Sequence, residues 1–259
     1  MIITTSNDAD CLIEKARKLS AEYGIEYRVR GEKSLAWLFE TADPQVLVVN
    51  HSRGLSYYEE GRGEAFYHPN MAFHRIRLLQ NGGRDTLASV CGLEPGMTFF
   101  DGTLGLASDA LIASCVTGEG GCVTGVEKSF PIYLLVKEGL RFYAEQHPEM
   151  EPLVRRLQIL HADSLDVLRA CGDNRYDILY FDFMFQRPVH KSFGIEVIRD
   201  YASYDTITAE CVEEAKRVAG KRVIVKTDST GMRMLSEMGF LCLKAKSRGD
   251  FYYMGYRKD

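Results

Sequence analysis

The apolar positions change period along this chain, and the changes mark out its elements. Over residues 9–23, Leu12, Ala16, Leu19 and Tyr23 share one helical face, and Gly24 closes the run. A short strand at 1–5 precedes it. Between 25 and 60, short apolar pieces (25–29, 36–39, 46–49 and 55–58) alternate with charges. Residues 1–65 therefore read as a small N-terminal α/β appendage. Gly61-Arg62-Gly63-Glu64 reads as a turn or linker. Pro69 suits a first helical turn, and a long helical pattern runs from 71 to 90 with a break at Asn81-Gly82-Gly83.

The turn Gly92-Leu93-Glu94-Pro95-Gly96 feeds a strand at 97–100, and a regular alternation follows. It gives helix 106–116, strand 122–126, helix 129–146, strand 157–160, helix 164–170 and strand 177–181. Helix 209–218, strand 222–225 and helix 230–238 continue it. The last two strands, 240–245 and 251–256, lack a helix between them and are expected to pair antiparallel. Five strand–helix units and a terminal hairpin predict an α/β fold. Residues 66–259 would form a doubly wound, mostly parallel seven-stranded sheet with one reversed strand.

Composition narrows this only slightly. Hydrophobic residues make up 46% and charged residues 26%, which supports a sizeable core. The net charge of −4 argues against indiscriminate nucleic-acid binding but permits a local basic patch. The seven cysteines form no C-x-x-C and read as reduced thiols of a cytoplasmic protein. The start lacks the basic flank and apolar stretch of a signal peptide, and no apolar run approaches the roughly 20 residues that span a bilayer. No membrane association is expected. The six histidines have no metal-ligand spacing, so no metal is expected either. There is no G-x-S-x-G.

The chemistry concentrates where strands end. Phe99 and Phe100 run into Asp101-Gly102-Thr103-Leu104-Gly105-Leu106-Ala107-Ser108-Asp109, a buried strand, a small-residue loop and a helix start. The spacing is D-x-T-x-G, neither the dinucleotide G-x-G-x-x-G nor a P-loop. It suits a cofactor without phosphates, of which S-adenosyl-L-methionine is the obvious one. Glu127, after the second strand, is placed to accept ribose hydroxyls, or else to complement the dipole of the next helix. Asp163 and Ser164, after the third, could meet an adenine edge, cap the next helix, or both. Asp109 has both a dipole and a cofactor reading. Asp182 closes an apolar fourth strand, with Phe183 and Phe185 beside it as possible stacking rings for a flat base, or as core. His74, Arg75, Arg77 and Arg84 precede the first strand, and Arg187, His190 and Lys191 follow Asp182. They could track a phosphate backbone or be solvated surface charge. Lys226, after the fifth strand, could point to the same end, and Trp37 reads as packing.

As a set, these pieces resemble the RsmJ family of bacterial small-subunit ribosomal RNA (guanine-N2) methyltransferases, in a Gram-positive branch. The carrying residues are Met71-Ala72-Phe73-His74-Arg75, Asp101 to Asp109, Glu127-Lys128, Leu157 to Ser164, Asp182-Phe183-Met184-Phe185 and Lys221 to Lys226. The resemblance implies a Rossmann-like class I methyltransferase using S-adenosylmethionine. The implied cofactor residues are Ser108, Asp109, Glu127, Lys128, Asp163, Ser164 and Asp182, joined by Asp101, Gly102, Thr103 and Gly105 from the loop reading. The chain has Ser108 where the family has Arg, and Phe183 where the family has Pro. The expected activity is methylation of an exocyclic base amine in structured RNA, either small-subunit ribosomal RNA or an assembly intermediate. Asp182 would orient the amine and Phe185 would stack the base, as catalytic residues. Phe183 and the basic residues would bind substrate. Phe183 also leaves open a small-molecule or protein acceptor. A non-catalytic RNA or ribosome-assembly binder that keeps the pocket, and more remotely a dehydrogenase, remain rival readings.

Overall fold

The computed structural model describes residues 1–69, 71–183, 207–245 and 251–258. The first part holds strands β1 (Ile2–Thr5), β2 (Glu26–Tyr27), β3 (Gln45–Asn50), β4 (Gly54–Glu59) and β5 (Ala65–Phe66). Helices α1 (Asp10–Tyr23) and α2 (Leu35–Thr41) connect them. The sheet order is β2-β1-β3-β4-β5, with β1 parallel to both neighbours and β3-β4-β5 a meander. Gly24 ends α1 at φ 67°, a left-handed cap that glycine adopts without a Cβ penalty. Residues 36–39, expected only as a short apolar piece, lie within α2. Ser34 caps it, and Leu38 buries against Ile2, Val46 and Val48 with Trp37 packed alongside. Residues 61–64 form the turn between β4 and β5.

The chain then enters α3 (Ala72–Gln80) and α4 (Thr86–Cys91), broken at Asn81–Gly83 as the sequence suggested. Next come β6 (Thr98–Asp101), α5 (Ser108–Thr117), β7 (Cys122–Glu127) and α6 (Phe130–Gln146). A 3-10 turn (Pro148–Met150) and α7 (Glu151–Arg155), neither expected, lead to β8 (Leu157–His161) and α8 (Ser164–Ala170). The remainder is β9 (Tyr176–Asp182), α9 (Ala209–Val218), β10 (Ala219–Thr227), α10 (Ser229–Glu237), β11 (Leu241–Ala245) and β12 (Tyr252–Arg257). The seven-stranded order is β11-β12-β10-β9-β6-β7-β8. β12 is the reversed strand, antiparallel to both neighbours, and it inserts between β10 and β11. Among the described residues no helix is long and apolar enough to cross a membrane.

Side-chain alternation divides the core. Phe99, Ile178, Tyr180 and Ile224 face α5 and α6, whereas Phe100, Leu179, Phe181, Val223 and Val225 face α8, α9 and α10. The first face continues into the five-stranded sheet, because Ile3, Leu47, Val49, Tyr57 and Tyr67 belong to the same cluster. α6 is the shared wall: a Cβ on Gly139 would collide with Tyr67, and one on Gly54 with Phe142. A polar seam runs alongside, where Glu138 accepts from Tyr23 Oη and from Arg141 Nη1.

With one core common to both sheets, thermal unfolding is expected as a single cooperative transition. Gly139→Ala should cost about 1–3 kcal/mol by overpacking, read as a fall in melting temperature of about 2–4 °C per kcal/mol. Two separate calorimetric transitions would contradict the shared core.

Candidate functional site

Asp101, Glu127 and Asp182 are the last residues of β6, β7 and β9, so three carboxylates share the C-terminal edge of the parallel strands. The loop after β6 is fastened to each neighbour. Gly102 N–H donates to Tyr180 O at 2.9 Å, and Leu104 N–H to Val126 O at 3.0 Å. Asp182 N–H donates to Thr103 Oγ1 at 2.6 Å, and Gly105 N–H to Glu127 Oε2 at 3.0 Å. Ser164 Oγ donates to Gly102 O. Gly102 has to be glycine, since a Cβ there would run into the Phe181 ring. Gly105 is left-handed (φ 49°), and so is Ala107 (φ 58°), a non-glycine strain held by complete burial just before α5.

The loop amides already have acceptors. Thr103 N–H donates to Asp101 Oδ1 at 3.0 Å, and Gly105 N–H is held by Glu127. An amide cradle of this kind usually takes a phosphate, but here the protein's own carboxylates fill it. The edge instead offers acceptors. Asp101 is buried and no described cation pairs with it. Burial, then the nearby Asp109 charge, holds its carboxyl well above the usual range. Burial likewise raises Glu127, whose Oε1 accepts from Ser129 N–H at 2.8 Å. A carboxylate takes about four hydrogen bonds, so Glu127 retains acceptor capacity. This donor-hungry set fits a ligand carrying hydroxyls, amino groups and positive charge.

The other expected residues fall around this edge. Asp163 caps α8 by accepting from Leu165 N–H at 2.9 Å, and it pairs with Lys128 at 3.0 Å. Ser108 and Asp109 open α5. Asp109 accepts from Arg75 Nη1 at 2.6 Å and from Tyr180 Oη at 3.0 Å. Asp182 Oδ2 lies 2.5 Å from Lys226 Nζ.

Two expected substrate contacts are placed otherwise. Arg75 turns inward, and besides Asp109 it makes a bidentate pair with Asp85 at 2.8 and 3.0 Å. Its charge is matched inside the protein instead of facing a phosphate backbone. The Phe183 ring stacks on Phe181 at 5.8 Å and 3°, against the α8–α10 face, so that ring face is closed to a base. His74, Arg77 and Arg84 are exposed. Phe185, Arg187, His190 and Lys191 lie outside the described residues. Sequence reasoning missed the Tyr180–Asp109–Arg75 chain and Tyr253. The latter reaches the edge only because β12 pairs with β10, setting it opposite Lys226.

Known proteins resemble this chain in sequence and in fold. A family described as "Putative SAM-dependent methyltransferase" matches residues 41–254. The "Uncharacterized protein YpiP" of Bacillus subtilis is 35% identical over 247 residues, 95% of each chain. A "Ribosomal RNA small subunit methyltransferase J" is 32% identical in Desulfotalea psychrophila, over 55% of each chain. Its namesake in Chromohalobacter salexigens is 28% identical over 82% of this chain and 83% of that one. In fold, the crystal structure of a SAM-dependent methyltransferase from Neisseria gonorrhoeae superposes with a TM-score of 0.59 at 15% identity. That match covers 99% of this chain and 96% of the other.

The buried Asp101 makes a testable demand on stability. Its carboxyl titrates higher folded than unfolded, so the folded state binds the proton more tightly. Stability is therefore lost as pH rises from the unfolded value, about 3.9, through the folded one. Asp101→Asn keeps the Thr103 bond and removes the charge. The ligand-free variant should melt higher than wild type at neutral pH, and the difference should vanish in acid. A variant that melts lower at neutral pH would show that the Asp101 charge is internally compensated.

Proposed function

This chain belongs to the SAM-dependent methyltransferase family, and from that premise we propose that its acceptor is an exocyclic base amine, guanine N2, in small-subunit ribosomal RNA or an assembly intermediate. The cofactor is S-adenosylmethionine. The observation that carries the reading is the Asp182 carboxylate: it sits at the strand tip, its backbone is tied to the cofactor loop through Thr103, and one oxygen is fixed by Lys226. Support for the RNA comes from the relatives named ribosomal RNA small subunit methyltransferase J. The work would take place in the cytoplasm, where ribosomal RNA is assembled.

The chain's own residues divide the task. Glu127 would hold the ribose, Asp163 and Ser164 the adenine edge, and Asp101 with the Gly102–Gly105 backbone the methionine end. S-adenosylmethionine held there would supply an activated methyl group, its sulfur leaving as the neutral thioether with the electron pair of the broken bond. Asp182 would accept an N–H of the acceptor, align the nitrogen lone pair and take the proton displaced when nitrogen becomes methylated. An acceptor base inside a helix has to flip out or be exposed in an intermediate. Phe185 keeps its proposed role as the stacking ring.

A small-molecule or protein acceptor is the second reading. It is favoured by the inward Arg75 and by Phe183, one ring face of which packs on Phe181, since both engage groups inside the protein. Labelled methyl transfer to ribosomal RNA against metabolite and protein extracts separates the two.

Asp182→Ala should abolish transfer to RNA while leaving S-adenosylhomocysteine affinity within about threefold. Glu127→Ala should weaken that affinity by about tenfold or more, the scale of a lost charge-assisted hydrogen bond. Mass spectrometry of ribosomal RNA from cells with and without the gene should show one N2-methylguanine lost. An unchanged modification profile, or equal transfer by the Asp182 variant, contradicts the assignment.

A further inference from the structure

Lys226 sits on β10 in register with two neighbours, Asp182 of β9 on one side and Tyr253 of β12 on the other. Its ammonium lies 2.5 Å from Asp182 Oδ2 and 5.0 Å from the centroid of the Phe251 ring. The two charged side chains are 20% and 27% exposed. Strand register therefore fixes both partners, and the pair is largely out of water. Among the described residues, no donor reaches Asp182 Oδ1.

Resting on the reading that Asp182 faces the acceptor, we propose that Lys226 is a positioning residue for methyl transfer. It ties down Oδ2, favours the charged form of the carboxylate and turns Oδ1 to the acceptor. An ionised Oδ1 can only accept, so the acceptor atom must itself carry hydrogen. That selects an amine or hydroxyl over a ring nitrogen that bears none.

The groups facing Asp182 set the electrostatic balance. Lys226 (β10) favours its charge, while Asp109 (α5) and, more remotely, Asp101 (β6) oppose it. Tyr253 (β12) and Tyr180 (β9) line the same space, with Arg75 (α3) behind Asp109. Burial pushes the Asp182 carboxyl up, Lys226 pulls it back, and Asp109 pushes it up again. Without the ammonium, the buried carboxylate would keep its proton to higher pH, losing the charge that strengthens its bond to an amine and the capacity to take the displaced proton.

The test uses the full chain as wild type, Lys226→Met, Lys226→Gln and Lys226→Arg. The carboxyl titration of Asp182 is followed by carbon NMR, with the resonance assigned from Asp182→Asn. Lys226→Met and Lys226→Gln should move it up by about one pH unit or more, and Lys226→Arg should restore it. The acid limb of methyl transfer to ribosomal RNA should move with it, while S-adenosylhomocysteine affinity stays within about twofold. An unmoved titration in a variant that still binds S-adenosylhomocysteine overturns the proposal. Should Met and Gln fail to fold, Lys226→Arg decides, because loss of transfer with an unshifted carboxyl also overturns it. If wild type transfers no methyl to RNA, the substrate reading fails, yet the titration still decides the role of Lys226.

Discussion

The stapling of residues 102–107 to the tips of three strands is the constraint on which the rest of the site depends. The loop spends its Thr103 and Gly105 amides on Asp101 and Glu127, its Gly102 and Leu104 amides on Tyr180 and Val126 carbonyls, its Thr103 hydroxyl on the Asp182 backbone and its Gly102 carbonyl on Ser164. Each bond is modest alone, about 1 kcal/mol net. Together they hold β6, β7, β9 and the start of α8 to one geometry at the edge where ligands bind in doubly wound sheets. Gly102 against Phe181 and Gly125 against Leu104 leave no space for side chains, so the close approach is built into the sequence.

That arrangement decides what the edge can recognise. With the amides of residues 102–105 already bonded within the protein, this loop is poorly suited to cradle phosphate. A row of buried or half-buried carboxylates, of which Asp101 and Glu127 have no cation partner among the described residues, calls for a positively charged, hydroxyl-bearing partner. The charges that do pair set the scaffold around it. Arg75 bridges Asp85 and Asp109 and so ties α3 and α4 to the start of α5, while Tyr180 closes the chain onto β9.

Much of this was legible in the sequence because an acid that ends an apolar run is a local signal. Asp101, Glu127 and Asp182 stood out for that reason, and strand–helix alternation gave the seven-stranded sheet. The rest depended on long-range contact. Periodicity puts Arg75 on a helix but does not show that two carboxylates, at 85 and 109, lie across from it. Alternation gave an antiparallel terminal pair, yet chain order cannot show β12 inserting next to β10, which alone brings Tyr253 opposite Lys226. Phe183 reads as a substrate platform because Asp182 is its neighbour, but the sequence does not show that one face of its ring packs on Phe181. α2 and α7 are 7 and 5 residues long, too short for a period to declare itself.

Titration calorimetry of the ligand-free protein with S-adenosylmethionine, NAD and ATP, each in two buffers of different ionisation enthalpy, probes the carboxylate edge most directly. S-adenosylmethionine should bind saturably with net release of protons in mild acid, as the ligand's charge draws the buried Asp101 into its ionised form. NAD and ATP should give no measurable heat. Comparable binding of either phosphate ligand, or S-adenosylmethionine binding with proton uptake, would contradict an edge built from strand-tip carboxylates to receive a cation.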